Sequence, residues 1–154
     1  MNQAPLLVIF RLDTQRYGLE LSGVERVIRA VEVTPLPSAP FIVLGVIDLG
    51  GRILPVLNLR RRLRLPEREI LPGDQFVVAH TTSRTVVLVV DEALEVIDHE
   101  HGDLIESHEI TPGLEYVQGI VQLKDGLVFI HDLESFLSSD EGRRLDSALL
   151  RSQA

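Results

Sequence analysis

The sequence predicts a mainly β protein made of two small, similar barrels, with short helices between strands and one helix at the C-terminus. Short runs of aliphatic and β-branched residues recur along the chain between turn-forming residues, which is typical of β-strands. The same order of runs occurs twice, once in each half. No long amphipathic helix is predicted before residue 138.

The two halves correspond at two fixed sequence offsets. The shorter offset relates Leu19 to Leu88, Leu21 to Val90, and Val27-Ile28 to Val96-Ile97. The longer offset relates Gly45 to Gly119, Leu49 to Leu123, Val56 to Ile130, Asn58 to Asp132 and Leu59 to Leu133. We interpret this as an internal duplication. Because each half holds only short strands, we expect each to form a closed or nearly closed five-stranded barrel.

The first half opens with a predicted hairpin and a helical turn. Leu6–Leu12 and residues 17–21 have the alternation of half-buried strands. Ser22 is placed to cap a turn of helix, whose apolar residues Val24, Val27 and Ile28 have i, i+3 and i+4 spacing. Three prolines then exclude regular helix and central strand from the connection, namely Pro35, Pro37 and Pro40.

Residues 45–59 form the clearest single unit, a hairpin that turns at Gly50-Gly51. Glycine adopts positive φ without steric cost, so a Gly-Gly pair between two apolar runs predicts a tight turn. Pro55 has no N–H for the ladder, so we expect the second arm to be an edge strand or to carry a bulge. Asn58 is placed to cap a short helix after the hairpin.

The second half repeats this order. Residues 76–79 are a predicted strand, and Thr85–Val90 lacks alternation, as a strand buried on both faces does. Asp91 is placed to cap a turn of helix over residues 93–97, and residues 98–109 are predicted to be a polar loop. A hairpin over residues 119–130 follows, and Asp132 caps a short helix after it.

A capping-box pattern predicts where the C-terminal helix begins. Ser138 and Glu141 have the required spacing. Leu145, Ala148 and Leu149 lie on one face of this helix, which we expect to pack on the barrels.

Composition excludes several classes of protein. The chain has 154 residues and no cysteine, which excludes disulfides and a cysteine-based zinc site. A net charge of −8 argues against nucleic-acid binding. No apolar run approaches the ~20 residues that cross a bilayer. The first residues also lack the basic region of a signal peptide, so we expect a cytoplasmic protein without direct membrane insertion.

Charge is distributed unevenly between the two halves. Residues 1–66 contain nine arginines and five acidic residues, whereas residues 67–154 contain six basic and eighteen acidic residues. This difference predicts two faces with different partners, or two halves that attract each other. Ordinary solvated surface is the alternative explanation.

The sequence offers little of the chemistry that enzymes use. It has no nucleophile elbow and no phosphate-binding loop, and His80 and His131 are isolated in apolar runs. His99 and His101, with acidic neighbours in residues 98–109, are metal ligands by type, but their spacing fixes no geometry, and solvated surface is the commoner explanation. We therefore predict that the chain is not an enzyme and holds no cofactor.

Two groups of residues are candidates for protein binding. The one basic cluster consists of Arg60, Arg61, Arg62, Arg64 and Arg68. On a short helix these arginines would fan outward and offer a docking face to an acidic partner, with solvated surface as the alternative. Apolar residues around the proline-rich connection, such as Val24, Val27 and Val33, are the second candidate.

The ordered set of motifs resembles the CheW family of chemotaxis adaptors. The resemblance is carried by Phe10-Arg11-Leu12, Tyr17-Gly18-Leu19, Val24-Glu25-Arg26-Val27-Ile28, Pro35-Leu36-Pro37 and all of residues 45–59. It extends from about residue 6 to residue 150, including the hairpin at Gly119 and the start of the C-terminal helix.

The resemblance implies a single domain over residues 5–150. It implies two SH3-like five-stranded β-subdomains, about 12–75 and 76–137, around a shared hydrophobic core, with the N-terminal strand and C-terminal helix packing across both. It implies no catalysis. Family members bridge the cytoplasmic tip of methyl-accepting receptors to the regulatory domain of a CheA-like histidine kinase.

The resemblance also implies contact residues. Val24, Val33 and Gly45 would lie at the kinase contact. Arg26, Val27 and Gly50 would lie at the receptor contact, near the groove between the subdomains. The family usually has arginine where Gly50 stands and glutamate where Arg26 stands, so both members of a polar pair have changed, and we expect either receptor choice or receptor binding itself to differ.

Three hypotheses about function follow. The first is a non-enzymatic adaptor that couples receptors to a kinase. The second is an adaptor of a diverged chemosensory pathway, for motility or gene regulation, with altered receptor binding. The third is a small-molecule or metal-binding sensor that uses residues 98–109. Self-association through exposed strand edges is also open.

Overall fold

Two β-sheets form the body of the protein. The computed structural model describes residues 6–98, 103–106 and 117–152. Its strands are β1 (Leu6–Leu12), β2 (Gln15–Glu20), β3 (Val24–Arg29), β4 (Val43–Leu49), β5 (Arg52–Leu57), β6 (Gln75–His80), β7 (Thr85–Val90), β8 (Glu92–Asp98), β9 (Asp103–Glu106), β10 (Val117–Leu123) and β11 (Gly126–His131). Its helical segments are two 3₁₀ turns (Leu21–Gly23 and Leu133–Phe136), the short helix α1 (Leu59–Arg62) and the longer helix α2 (Ser139–Ser152).

Each sheet contains strands of both halves of the sequence. Sheet A has the order β8-β1-β2-β11-β10-β9, and sheet B has the order β3-β6-β7-β5-β4. Paired strands are antiparallel except for β2 with β11 and β5 with β7. Both parallel pairs join a strand of the first half to a strand of the second.

The mainly β fold and the duplication are confirmed. β10 and β11 follow β4 and β5 at the longer of the two offsets, and the second 3₁₀ turn follows α1 at the same offset. The repeat did not reveal the exchange of strands between halves. The predicted subdomain limits, about 12–75 and 76–137, follow the repeat, and the sheets cross that boundary in both directions.

Two predicted helical turns are strands. Val24, Val27 and Ile28 belong to β3, and residues 93–97 belong to β8. The pattern fits β3 because its register shifts between Val24 and Arg26, so that Val24 packs against the central cluster and Ile28 against the cluster of sheet B. Each of the two strands contains one residue that is skipped in the pairing, Glu25 in β3 and Leu94 in β8. These two residues are related by the shorter offset, so the two strands are equivalent in this detail too.

The prediction that Pro55 lies on an edge strand is wrong. β5 lies between β4 and β7. It pairs with β7 only at Val56 and Leu57, so the missing N–H of Pro55 falls just before that ladder. The irregularity in the β4–β5 pairing lies at Val43 and Gly45 rather than at Pro55.

The polar loop predicted at residues 98–109 contains a strand. β9 pairs antiparallel with β10 and forms an edge of sheet A. Residues 99–102 and 107–109 lie outside the described residues.

The predicted glycine turn and the caps Asn58 and Asp132 are present, whereas Ser22 and Asp91 precede strands rather than the turns of helix that they were predicted to cap. Gly50 and Gly51 have φ of +61° and +91°, and the Gly51 N–H donates to Oδ1 of Asp48 at 2.8 Å. The side chain of Asn58 accepts the Arg61 N–H at 3.2 Å, and Asp132 accepts the Glu134 N–H at 3.0 Å.

The capping box of α2 is closed in both directions. The Ser138 N–H donates to Glu141 at 2.9 Å, and the Glu141 N–H donates to the Ser138 hydroxyl at 3.1 Å. The interpretation of residues 138–141 as a helix start is therefore confirmed.

Buried side chains form three clusters. One lies on the far face of sheet B, around Phe76 and Val78, and one on the far face of sheet A, around Ile9 and Val121. The largest joins the two sheets and includes Leu145 and Ala148 of α2, as predicted for that helix.

β6 and β7 contribute to two of these clusters at once. Val86 and Leu88 belong to the central cluster, whereas Val87 belongs to the cluster of sheet B. Both faces of β7 are therefore buried, which explains why its sequence shows no polar alternation.

Candidate functional site

Val33 and Gly45 meet at the edge of sheet B. The Thr34 N–H donates to the Val46 carbonyl at 2.9 Å, and the Val46 N–H donates to the Thr34 carbonyl at 2.8 Å. These bonds bring the chain that follows β3 against β4. Gly45 has φ of +157°, and a Cβ there would overlap the Thr34 carbonyl oxygen and press on Val33. Glycine is required here by the close approach of two backbone segments.

Val24, the third residue predicted for the same contact, lies in a different setting. It stands at the start of β3, opposite Ala79, and packs against the central cluster. Val33 packs against the cluster of sheet B. The structure thus brings Val33 and Gly45 together and leaves Val24 apart from them.

Arg26 and Val27 are exposed neighbours on β3, an edge strand of sheet B, and their side chains point to opposite faces of the sheet. Val27 is opposite Val77, which is opposite Leu88, so a row of apolar side chains runs from the core to the surface and ends at Val27. Val27 keeps 36% of its surface exposed, and Arg26 is exposed beside it. Such a row offers an apolar contact to a partner.

Gly50 lies at the tip of the β4–β5 hairpin. It is exposed, and a Cβ at this position would meet nothing within 4 Å. Space therefore permits a side chain at residue 50, and only its φ of +61° disfavours one.

An ion pair near these residues was missed by the sequence analysis. Nη1 of Arg52 donates to both carboxylate oxygens of Glu25 at 2.9 and 3.2 Å, and Nη2 donates to the Thr85 hydroxyl at 3.2 Å. The hydrogen bond from Arg52 holds the pKa of Glu25 below its ordinary value. Glu25 precedes Arg26, and Arg52 follows the glycine turn. Their opposite charges, each beside a predicted contact residue, are the sequence signal from which this ion pair could have been predicted.

Two surface clefts are equivalent under the duplication. The first cleft has a volume of about 350 Å³, and the second about 650 Å³. Five positions that line the first cleft correspond to positions that line the second. The corresponding pairs are Glu20 with Val89, Ser22 with Asp91, Gln118 with Leu44, Asp132 with Asn58, and Glu134 with Arg60. These pairs have the same two offsets as the repeat. All of them differ in charge or polarity, although Asp132 and Asn58 share the capping role.

The second cleft combines an apolar wall with an ionic floor. Val33 lies in the wall together with Val31, which is 47% exposed. On the floor, Arg60 donates to both oxygens of Asp91 at 2.8 and 3.0 Å. Arg68 donates to Asp91 at 2.7 Å and to Asp74 at 2.7 and 2.8 Å, and lines the cleft beside them.

Asp91 is the centre of this floor. Besides the two arginines it accepts the backbone N–H of Asp13 at 2.8 Å, which ties sheet A to sheet B. Burial would raise the pKa of Asp91, but the hydrogen bonds from Arg60 and Asp13 hold the pKa below its ordinary value. Burial would also raise the pKa of Asp74, but the hydrogen bonds from Arg68 and from the Leu71 N–H hold this pKa below its ordinary value. Both carboxylates are therefore charged at neutral pH.

The predicted basic docking face does not exist as an outward fan of arginines. Arg60 is buried on Asp91, and Arg62 pairs with Glu141 of α2 at 2.6 Å. Arg61 stacks on Phe41, with its guanidinium carbon 4.3 Å from the ring centre, and also pairs with Glu67. Of the predicted cluster, Arg64 and Arg68 are exposed, and Arg68 pairs with Asp74 and Asp91. The acidic partners of Arg60 and Arg62 are 31 and 79 residues away in sequence, so these two pairs could not be anticipated.

The metal hypothesis concerns residues that the structure mostly leaves undescribed. His99 and His101 lie outside the described residues. Within residues 6–98, 103–106 and 117–152, no group of three or more His, Asp or Glu side chains has a metal-binding arrangement. No helix in these ranges is long and apolar enough to span a membrane.

Comparison with known proteins identifies a family over most of the chain. The family model described as "CheW-like domain" matches residues 6–141. "Chemotaxis protein CheW" of Treponema pallidum (strain Nichols) is 28% identical over 145 residues, which cover 90% of this chain and 85% of that protein. "Chemotaxis protein CheW" of Rhizobium meliloti (strain 1021) is 28% identical over 137 residues, covering 88% of each.

A solved structure shares the fold. The scaffolding protein TtCheW from Thermoanaerobacter tengcongensis superposes with a TM-score of 0.79 at 25% identity, over 90% of this chain and 95% of that one. The fold of this chain, over nine-tenths of its length, is therefore also the fold of a known scaffolding protein.

Proposed function

This chain belongs to the family of CheW-like domains, and from that membership we propose that it couples methyl-accepting chemotaxis receptors to a CheA-like histidine kinase. It is a chemotaxis adaptor rather than an enzyme, because proteins of this family act as non-catalytic scaffolds. The observation that carries the proposal is the match of the family model to residues 6–141.

The regulatory domain of the kinase is proposed to dock where Val33 meets Gly45. Two features support this placement. The two segments are held together by the pair of hydrogen bonds that Thr34 and Val46 exchange. Val33 also lies in the wall of the larger cleft, beside the exposed Val31. Val24, half-buried at the start of β3, is the third residue of the proposed kinase contact.

The receptor tip is proposed to dock along Arg26, Val27 and Gly50. Val27 supplies the apolar contact, and Gly50 leaves the hairpin tip open. The neighbouring pair of Glu25 and Arg52, with Nη1 of Arg52 2.9 Å from the carboxylate, supplies opposite charges beside the two positions where the usual family residues are replaced. We infer that this pair takes part in receptor choice.

Replacing the two departures from the family pattern tests the receptor surface. We expect the double variant Gly50→Arg, Arg26→Glu to bind a methyl-accepting receptor tip more tightly than the original chain. The fold should survive, because a side chain at residue 50 meets open space and its φ costs only about 1–2 kcal/mol. Isothermal titration of both proteins with the same receptor fragment measures the difference. Equal or weaker binding by a folded double variant contradicts the assignment.

Co-purification tests the function as a whole. The tagged chain is expected to retain the regulatory domain of the CheA-like kinase from its own organism, and to form a ternary complex when a receptor tip is added. Arg64→Glu, which changes an exposed charge away from the cleft lining, serves as the matched control and should retain both partners. Failure to retain either a kinase domain or a receptor tip would sink the proposal.

The cell compartment follows from the partners. We place the chain in the cytoplasm, where receptor tips and the kinase meet, and we assign it no nucleic acid and no cofactor. The relatives named above are chemotaxis proteins, so an adaptor of a diverged pathway is not favoured. A small-molecule or metal sensor is not favoured either.

A further inference from the structure

The second cleft has room for an extended aliphatic side chain. Its volume is about 650 Å³, and its wall includes Val31, Val33 and Ile70. Val31 is 47% exposed, and Leu71, next to Ile70, is 51% exposed. Lysine and arginine bury their methylene stems along apolar surface of this kind while the charged head stays at the rim.

The arginines on the floor leave no charge for an anion. Nη1 of Arg60 donates to the Pro66 carbonyl at 2.9 Å, while its Nη2 donates to Asp91. Nη1 of Arg68 donates to the Glu69 carbonyl at 2.9 Å and to Asp74 at 2.7 Å. An anion entering the cleft would have to displace a carboxylate from its arginine, and the Arg60–Asp91 and Arg68–Asp74 pairs are partly buried.

Acidic residues outnumber basic residues around the cleft. Glu32 and Glu69 are exposed at its rim, in addition to Asp74 and Asp91 on the floor. Among the described residues that line the cleft, only Arg60 and Arg68 oppose these four carboxylates, which leaves two negative charges in excess. A cleft with low-dielectric walls focuses such a field and attracts a cation.

We propose that the second cleft is a receptor for one basic side chain, a lysine or arginine of the docked partner, with its stem on Val31 and Val33 and its head between Glu32 and Glu69. The identity of the partner as the kinase regulatory domain rests on the proposed function; the preference of the cleft for a cationic chain does not.

A small probe tests the cleft without any partner protein. n-Butylguanidinium, titrated into the ¹⁵N-labelled chain, is expected to shift the amide signals of Val31, Val33, Ile70 and Val89 in a saturable way. Pentanoate, similar in length and opposite in charge, should not. The Glu32→Gln, Glu69→Gln variant should weaken the butylguanidinium response about 5-fold, the order expected for two partly exposed ion pairs. No saturable shifts, or equal shifts with pentanoate, would overturn the inference.

A second experiment asks whether the partner uses the cleft. The same double variant should bind the kinase regulatory domain about 5-fold more weakly and with less salt dependence. The matched control Glu95→Gln, Asp140→Asn removes two exposed charges that do not line the cleft and should bind unchanged. If the original chain binds the kinase domain and the Glu32, Glu69 variant binds equally well, the assignment to the docked partner is wrong. If no kinase domain binds but butylguanidinium does, the proposed function fails and the cleft assignment stands.

Discussion

At the scale of single residues, glycine content is easy to see in a sequence, but the reason for each glycine is not. Gly50 and Gly51 predict a turn because they lie between two apolar runs. Gly45 looks like an ordinary strand residue. It is required because the Thr34 carbonyl occupies the place of its Cβ, and this contact depends on a chain segment that returns to the sheet after β3.

Gly45→Ala should therefore destabilise the protein by roughly 2–4 kcal/mol, the range of substitutions that force backbone apart at a buried site. Gly73→Ala is the matched control, because a Cβ there meets nothing within 4 Å, and it should change stability by about 0.5 kcal/mol or less. Urea unfolding followed by circular dichroism measures both. Similar stabilities for the two variants would contradict the close-approach explanation.

Arg60 shows the limit of interpretation at this scale. A run of three arginines predicts a solvated or docking face, yet Arg60 is 7% exposed and lies on Asp91. The partner is 31 residues away in sequence, and only the folded sheets bring it near. Charge type was readable from the sequence, whereas burial was decided by a long-range contact.

At the scale of elements, the C-terminal helix was predictable and the edge strands were not. α2 has a capping box and an apolar face, and both signals are local. β3 and β8 carry β-branched residues whose short pattern suits a helical turn equally well. Their pairing partners β6 and β1 lie far away in the sequence. Local preference permits either a helical turn or a strand here, and the long-range pairing determines that a strand forms.

The apolar face of α2 should matter more than its exposed residues. Leu145 is fully buried in the central cluster, so Leu145→Ala is expected to lower the free energy of unfolding by about 3 kcal/mol. Leu150, which is 70% exposed on the same helix, is the control, and Leu150→Ala should change it by about 0.5 kcal/mol or less. Thermal or urea unfolding of both variants separates them, and a small effect of Leu145→Ala would show that α2 is not part of the core.

The ionic floor that joins α1 to the end of β7 should make stability depend on pH. The pKa values of Asp74 and Asp91 are lower in the folded chain than in the unfolded one, so their contribution is complete above the unfolded pKa and is lost as pH falls through the folded pKa. The free energy of unfolding should be steady from about pH 7 to 5 and fall below about pH 4.

Asp91→Asn should remove part of that acid dependence. It leaves Arg60 with only the half-exposed Asp13, 3.0 Å away, so stability at neutral pH should fall by about 2 kcal/mol, and the slope below about pH 4 should become shallower. Glu95→Gln, an exposed change, should alter neither quantity. Urea unfolding across pH gives the comparison, and an unchanged slope in Asp91→Asn would assign the acid dependence to other groups.

At the scale of the whole molecule, the repeat was visible in the sequence but the exchange of strands was not. Equal offsets identify equivalent elements without saying which sheet each one joins. β5 pairs with β7 rather than with its equivalent neighbour β2, and both halves contribute to the central cluster between the sheets. The site followed the same rule: the contact of Val33 with Gly45 and the composition of the second cleft needed the fold.

Because each sheet takes strands from both halves, neither half should fold alone. Residues 1–74 and 75–154, produced separately, are expected to lack a cooperative unfolding transition. Mixing them in equal amounts should restore the β-sheet circular dichroism of the intact chain, since every missing strand is then supplied. A cooperative transition in either half by itself would mean that the exchange of strands is not needed for folding.

The exchange of strands also has a consequence for the history of the chain. A single copy of the repeat would leave both of its sheets incomplete, and it would reach the present architecture only by sharing strands with a second, identical molecule. Such an ancestor is bound by symmetry, because any change in one cleft appears in the other. Joining two copies in one gene ended that constraint. Ser22 now stands where the other copy has Asp91, and Glu134 stands where the other copy has Arg60, the arginine that pairs with that aspartate. Once the copies are joined, one cleft can hold an ionic floor while its twin differs from it.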